Sequence, residues 1–231
     1  MKKNEQVPEH LVRHITADIT EALRVCRDSN EHIYHRDIKP ENIMVVRDGD
    51  DYERFVLIDF GLAREIDQDM SIKYTLGEQG TRPFIDPAMS FKDEEERTHK
   101  FSDMWALGVQ AYYLMTGGQY PFGHCTVGTV DEYVKNSGDK DYKIQMEDFS
   151  RPTQCIKGTQ VGDFISRTLK VRVPKDHEVR PDARMTFQEF TTHPFVNDFR
   201  YTRSLLDENR RQKKEIAQMK KENKEQFDTL F

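Results

Sequence analysis

Apolar residues recur at helical spacing near the start of the chain. Leu11, Ile15, Ile19, Ala22, Leu23 and Cys26 fall about 3.6 residues apart, which predicts a helix over 8–29 with Pro8 in its first turn. The pattern then shortens. Ile43-Met44-Val45-Val46 and Phe55-Val56-Leu57-Ile58 flank the turn signal Asp48-Gly49-Asp50-Asp51, so a β-hairpin is expected. That hairpin would set Asn42 and Asp59 near each other, at the two ends of paired strands. Residues 62–100 sustain no period, and so long a loop in a compact domain is usually functional. Trp105-Ala106-Leu107-Gly108-Val109, continuing through Ala111, Tyr112, Leu114 and Met115, is apolar nearly all round. Such a segment reads as a buried central helix, and Gly117-Gly118 ends it.

Shorter amphipathic helices are expected over 126–136, 161–170 and Thr186 to Thr192, the last stopped by His193-Pro194. From about residue 202 the chain is rich in Lys, Arg, Glu, Gln and Asn. Leu205, Leu206, Ile216, Met219 and Phe227 make only a weak stripe there. It does not sustain three heptads, which favours a solvated helix over a coiled-coil arm. No internal repeat is evident. The expected organisation is an α+β domain over 1–200 and a charged helical or disordered tail over 201–231.

Composition narrows the function classes. The 231 residues allow one domain with an appendage and a sizeable core. A net charge of -6 disfavours a general nucleic-acid binder, which needs a basic surface. Cys26, Cys125 and Cys155 are far apart and match neither a zinc spacing nor a disulfide framework. No segment approaches the ~20 apolar residues of a membrane span, and the first residues lack a signal peptide's apolar run. An intracellular, cytoplasmic protein with no membrane or nucleic-acid partner is expected.

The chemistry concentrates in two short motifs. His35-Arg36-Asp37-Ile38-Lys39-Pro40-Glu41-Asn42 is followed by Asp59-Phe60-Gly61. Downstream lie Gly80-Thr81, then Asp103-Met104-Trp105-Ala106-Leu107-Gly108, then Arg184 before the final helix. In this order they resemble the C-terminal lobe of a eukaryotic-type serine/threonine protein kinase, over residues 10 to about 196. The resemblance implies a protein-kinase-like fold, a mostly helical lobe with a small hairpin, that uses ATP and Mg2+ to phosphorylate a protein substrate.

It also implies roles, residue by residue. Asp37 would orient the substrate hydroxyl and accept its proton, and Lys39 would neutralise charge on the transferred phosphoryl group. Thr81 would bond near both. Asn42 and Asp59 would ligate magnesium. Met44 would lie under the adenine ring, and Glu41 at the edge of the nucleotide and substrate site, where it could meet a basic residue of a peptide. His35, Phe60 and Leu114 match a stacked apolar column, anchored by Asp103 through the catalytic-loop backbone. A plainer reading makes Met44, Leu114 and Trp105 simple core residues. Gln110 puts a polar amide where the family usually has an apolar residue. Arg36 would hold a charged loop, with Ser71, Tyr74, Thr75 or Glu78 as candidates.

Two departures stand out. Nothing before His35 resembles the Gly-rich loop or strand Lys that hold ATP phosphates in the family. The expectation is a truncated kinase domain whose upper lobe comes from a longer product or a partner. The alternative is a catalytically inactive lobe that docks proteins through residues 80–136. The second departure is Asp86-Pro87-Ala88, where the family ends its segment in Pro-Glu. Arg184 is therefore expected to be buried without its usual carboxylate. It would have to turn to Asp86, to a backbone carbonyl or to the Glu94-Glu95-Glu96 run, or else leave the segment loose.

Overall fold

The computed structural model describes residues 6–29, 32–47, 53–65, 80–86, 101–121, 156, 158–169 and 184–199, together with seven tail positions between 208 and 219. The first helix, α1 (Glu9–Asp28), follows the predicted stripe. Its inward residues Val12, Ile15, Ala17, Ile19 and Leu23 are all buried. Pro8 precedes it with extended backbone, and Arg27 in its last turn suits the negative end of the helix dipole.

The expected hairpin forms. β2 (Ile43–Arg47) pairs antiparallel with β3 (Glu53–Leu57) in the register Ile43 opposite Leu57, Met44 opposite Val56 and Val45 opposite Phe55. The turn at 48–51 lies outside the described residues. Phe55 and Leu57 point into the core against α1, and the Asp18 carboxylate on α1 accepts the Phe55 N–H at 2.9 Å. A second pair joins β1 (Ile33–Tyr34) to β4 (Arg64–Glu65). Two-residue strands carry no periodicity, so the pattern along residues 62–100 gave no sign of it.

α2 (Ser102–Met115) is the central element. Eleven of its residues are buried on every side, as the unbroken apolar run implies. It packs against α1, against the single-turn helix Arg82–Phe84, and against α3 (Gln160–Thr168). Val7 N–H bonds the Leu114 carbonyl at 3.0 Å, docking the chain ahead of α1 onto the end of α2. α4 (Phe187–Thr192) opens with a capping box between Thr186 and Glu189. His193 interrupts it and helix resumes over 194–199. Phe164, Phe190 and Phe195 close the core beneath α3.

The observed class is α+β. The segment 126–136 lies outside the described residues. The described tail positions are helical and exposed, with Ile216 at 50% and Met219 at 56%. Among the described residues no helix is long and apolar enough to cross a membrane.

Candidate active site

The loop between β1 and β2 is buried although it is irregular. His35, Arg36, Asp37, Ile38 and Asn42 are all below a tenth exposed. A buried loop must find partners for its backbone, and here one carboxylate supplies two. Asp103, in the first turn of α2, accepts the His35 N–H at 3.0 Å and the Arg36 N–H at 2.8 Å. Burial pushes the Asp103 carboxyl up, and the two N–H donors oppose that shift. Arg36 takes a left-handed conformation, φ 71°, to present both amides.

His35 locks the other side. Its Nε2 lies 3.0 Å from the Ile58 carbonyl, and its Nδ1 accepts the Asp37 N–H at 3.3 Å. The tautomer with the proton on Nε2 satisfies both contacts. Ile58 N–H in turn bonds the Asn42 carbonyl at 2.9 Å. Asp59 therefore follows a residue held at both its N–H and its C=O by the loop. This is the physical content of the hairpin: the strand pairing carries the second motif to the first.

Four polar side chains meet at the loop's centre. Lys39 Nζ donates to Asp37 Oδ2 at 2.7 Å and to Thr81 Oγ1 at 2.9 Å. Thr81 Oγ1 donates to Asp37 Oδ1 at 2.9 Å. Asn42 Nδ2 donates to the Asp37 carbonyl at 2.8 Å and to Asp37 Oδ2 at 3.1 Å. Burial pushes the Asp37 carboxyl up, but the Lys39 and Thr81 hydrogen bonds, the Lys39 charge and the Asn42 amide outweigh it. The net position is below the ordinary carboxylate range. Asp37 is thus held ionised, with both oxygens in hydrogen bonds.

Asp59 is exposed and left-handed, φ 61°, and its Oδ1 accepts the Gly61 N–H at 3.2 Å. Phe60 meets His35 edge-on at 4.8 Å between ring centroids, while remaining 46% exposed. Glu41 is exposed, and its charge helps raise the Tyr120 phenol, after burial and Tyr113. Leu114 and Trp105 are core residues, but Met44 is not. It is 48% exposed, with Val45 and Val46 beside it, because among the described residues β2 pairs with β3 alone and no other described strand lies against it. Gln110 is buried, and its Oε1 has no hydrogen-bond partner among the described residues.

Arg184 is buried, and of the acceptors open to it the structure shows Asp86. Both its terminal nitrogens bond the Asp86 carboxylate, Nη1 to Oδ2 and Nη2 to Oδ1, the latter at 3.1 Å. Both side chains are buried. A guanidinium keeps its charge at any accessible pH, so its fork selects the carboxylate within reach, which is Asp86. Along the chain Asp86 is one of several acceptors, and only the fold chooses it. Arg64 carries no signal in the sequence, yet its charge lowers the pKa of Arg36 in addition to the larger effect of burial. Arg64 reaches Arg36 through the β1–β4 pair, which has no signal along the chain. Ser71, Tyr74, Thr75 and Glu78 lie outside the described residues.

This loop, its helix-borne carboxylate anchor and the hairpin that delivers Asp59 together define a catalytic-loop architecture of the protein kinase class. The family model for the protein kinase domain matches residues 1–196, and the chain belongs to that family. Among curated relatives it is 28% identical over 209 residues to serine/threonine-protein kinase ATG1b of Arabidopsis thaliana, covering 89% of this chain and 26% of that protein. It is 33% identical over 165 residues to the death-associated protein kinase dapk-1 of Caenorhabditis elegans, covering 71% of this chain and 10% of that protein. With human death-associated protein kinase 2 it shares 32% over 164 residues, covering 71% of this chain and 38% of that protein. The chain spans well under half the length of each of these relatives.

Proposed function

We propose that this chain carries the catalytic face of a serine/threonine protein kinase, which transfers a phosphoryl group from ATP to a protein hydroxyl. The supporting observation is the Asp37–Lys39–Thr81 network, three groups closed on one another at 2.7–2.9 Å. Phosphoryl transfer asks the protein for positioning and charge neutralisation rather than covalent chemistry. Asp37, held ionised, is suited to orient an acceptor hydroxyl and take its proton. Lys39 brings a cation beside it. Thr81 shapes an acceptor site for a short side chain, which favours Ser or Thr over Tyr.

The donor set suits magnesium. Asn42 uses its amide nitrogen on Asp37, which leaves its oxygen as the acceptor, and Asp59 is an exposed carboxylate. Among the described residues no three His, Cys, Asp or Glu side chains form a metal cage. Magnesium ordinarily takes one or two protein oxygens and completes its shell with substrate phosphates and water. When bound, it neutralises charge on those phosphates. The exposed Met44 offers a thioether surface for the nucleotide base, with Glu41 at the rim of the site.

In this reading residues 1–200 supply the helix-rich lower lobe, and a longer product or a partner chain supplies the glycine-rich loop and strand lysine. The composition supports it: residues 1–34 contain no glycine and so hold no glycine-rich loop. The test is phosphoamino-acid analysis after incubation with Mg-ATP and mixed Ser, Thr and Tyr peptides, with the upper lobe supplied. Phosphoserine and phosphothreonine are expected. Asp37→Asn should abolish turnover and leave ATP affinity nearly unchanged, whereas Asp59→Asn should weaken metal-dependent ATP binding. Phosphotyrosine as the main product, or full turnover in Asp37→Asn, overturns the assignment.

A further inference from the structure

Thr81 reaches Asp37 from a segment more than forty residues away, and something must hold that segment in place. Its near end is set by contact. Gly80 has φ 114°, and a Cβ there would lie 2.9 Å from the Arg36 carbonyl oxygen, so the chain passes directly over the catalytic loop. The single turn that follows closes with Phe84 N–H on the Thr81 carbonyl at 2.8 Å. Phe84, Ile85 and Asp86 are then buried in succession.

At the far end stands the Arg184 pair. Asp86 is fully buried and takes both nitrogens of the guanidinium. Arg184 in turn lies over the Trp105 ring, 4.9 Å from its centroid, and Met185 N–H bonds the Arg167 carbonyl of α3 at 3.4 Å. Trp105 sits two residues after Asp103, the carboxylate that holds the His35 and Arg36 amides. One helix therefore grips both walls of the site, the catalytic loop through Asp103 and the Thr81 segment through Trp105, Arg184 and Asp86.

We propose that Asp86 and Arg184 are a positioning pair that holds Thr81 in register with Asp37 and Lys39. The proposal rests on the reading of Thr81 as part of the acceptor site. Neither residue touches the reacting groups. Their effect runs through the turn at 81–84, whose orientation a bidentate pair fixes more narrowly than a single hydrogen bond.

The experiment is hydrogen exchange by mass spectrometry on the full chain, comparing wild type with Asp86→Asn and Arg184→Lys. Asp86→Asn keeps the shape and removes the charge; Arg184→Lys keeps the charge and removes the fork. Exchange over 80–86 should speed up by about 10-fold or more while α1 keeps its protection. Should Asp86→Asn fail to fold, the milder Arg184→Lys carries the comparison. Unchanged protection over 80–86, or an equal loss across α1, overturns the proposal. With the upper lobe supplied, both variants should raise the acceptor-peptide KM and leave ATP affinity unchanged. Absence of transfer in the wild type would instead sink the kinase reading while the exchange result stands.

Discussion

Asp37 illustrates how a single residue's environment decides its behaviour. Its carboxyl is buried, which by itself would favour the neutral acid, yet Lys39, Thr81 and Asn42 all favour the ionised form and prevail. A carboxylate whose folded pKa is depressed contributes stability that is present above its unfolded value and lost as pH falls through the folded one. Denaturant midpoints of wild type and Asp37→Asn, taken at about pH 6 and again at about pH 3, should therefore converge toward the lower pH. A gap that widens on acidification would mean that the native site prefers the protonated acid. Arg184 shows the same logic with a permanent charge. Breaking a buried ion pair by removing one partner costs about 3–5 kcal/mol, so a fold that buries Arg184 must also bury a carboxylate beside it.

Among the elements, α2 bears the most. It is apolar on every face because every face is covered, and its close approach to α3 depends on one small residue. A Cβ on Gly108 would lie 2.3 Å from Thr168 Oγ1 and 2.9 Å from Thr168 Cβ. Thr168 cannot simply turn away. It is fully buried, and its hydroxyl already donates within its own helix to the Phe164 and Ile165 carbonyls. Gly108→Ala should therefore lower stability despite alanine's better helix propensity, by about 1–3 kcal/mol as for other overpacked cores. Thermal denaturation checks the sign. Pairing Gly108→Ala with Thr168→Ala should recover part of the loss, whereas a stabilised Gly108→Ala would show that the helices part without cost.

For the whole molecule, the uncovered surface is as informative as the core. Met44, Val45, Val46 and Phe60, close to Asn42 and Asp59 in sequence, are 39–48% exposed. On the proposal that the glycine-rich loop and strand lysine come from elsewhere, a nucleotide held by these residues alone loses contacts to its phosphates and buries less of its base. The 231-residue chain alone should accordingly bind Mg-ATP with a dissociation constant in the millimolar range or weaker, about -4 kcal/mol. Isothermal calorimetry checks this. Low-micromolar affinity for the isolated chain would show that these residues already build a complete pocket.

Much of this architecture was legible along the chain. The helical stripe of α1, the unbroken apolar run of α2, the hairpin and the capped α4 all follow from local periodicity and turn chemistry, which act between residues close in sequence. The motif residues Asp37, Lys39, Asn42 and Asp59 were legible through the resemblance of their motifs to the protein kinase family, and their proximity through the hairpin, since they lie within 23 positions. What the tertiary structure alone decided were the long-range choices. Asp86 takes both terminal nitrogens of Arg184, Arg64 comes beside Arg36, and Met44 faces outward rather than into the core. None of these depends on a local period. Each is settled by which distant surface reaches a side chain first: the fork of Arg184 by the carboxylate that α2 brings within reach, Arg36 by a two-residue strand pair, and Met44 by the absence of any described element over the outer face of β2.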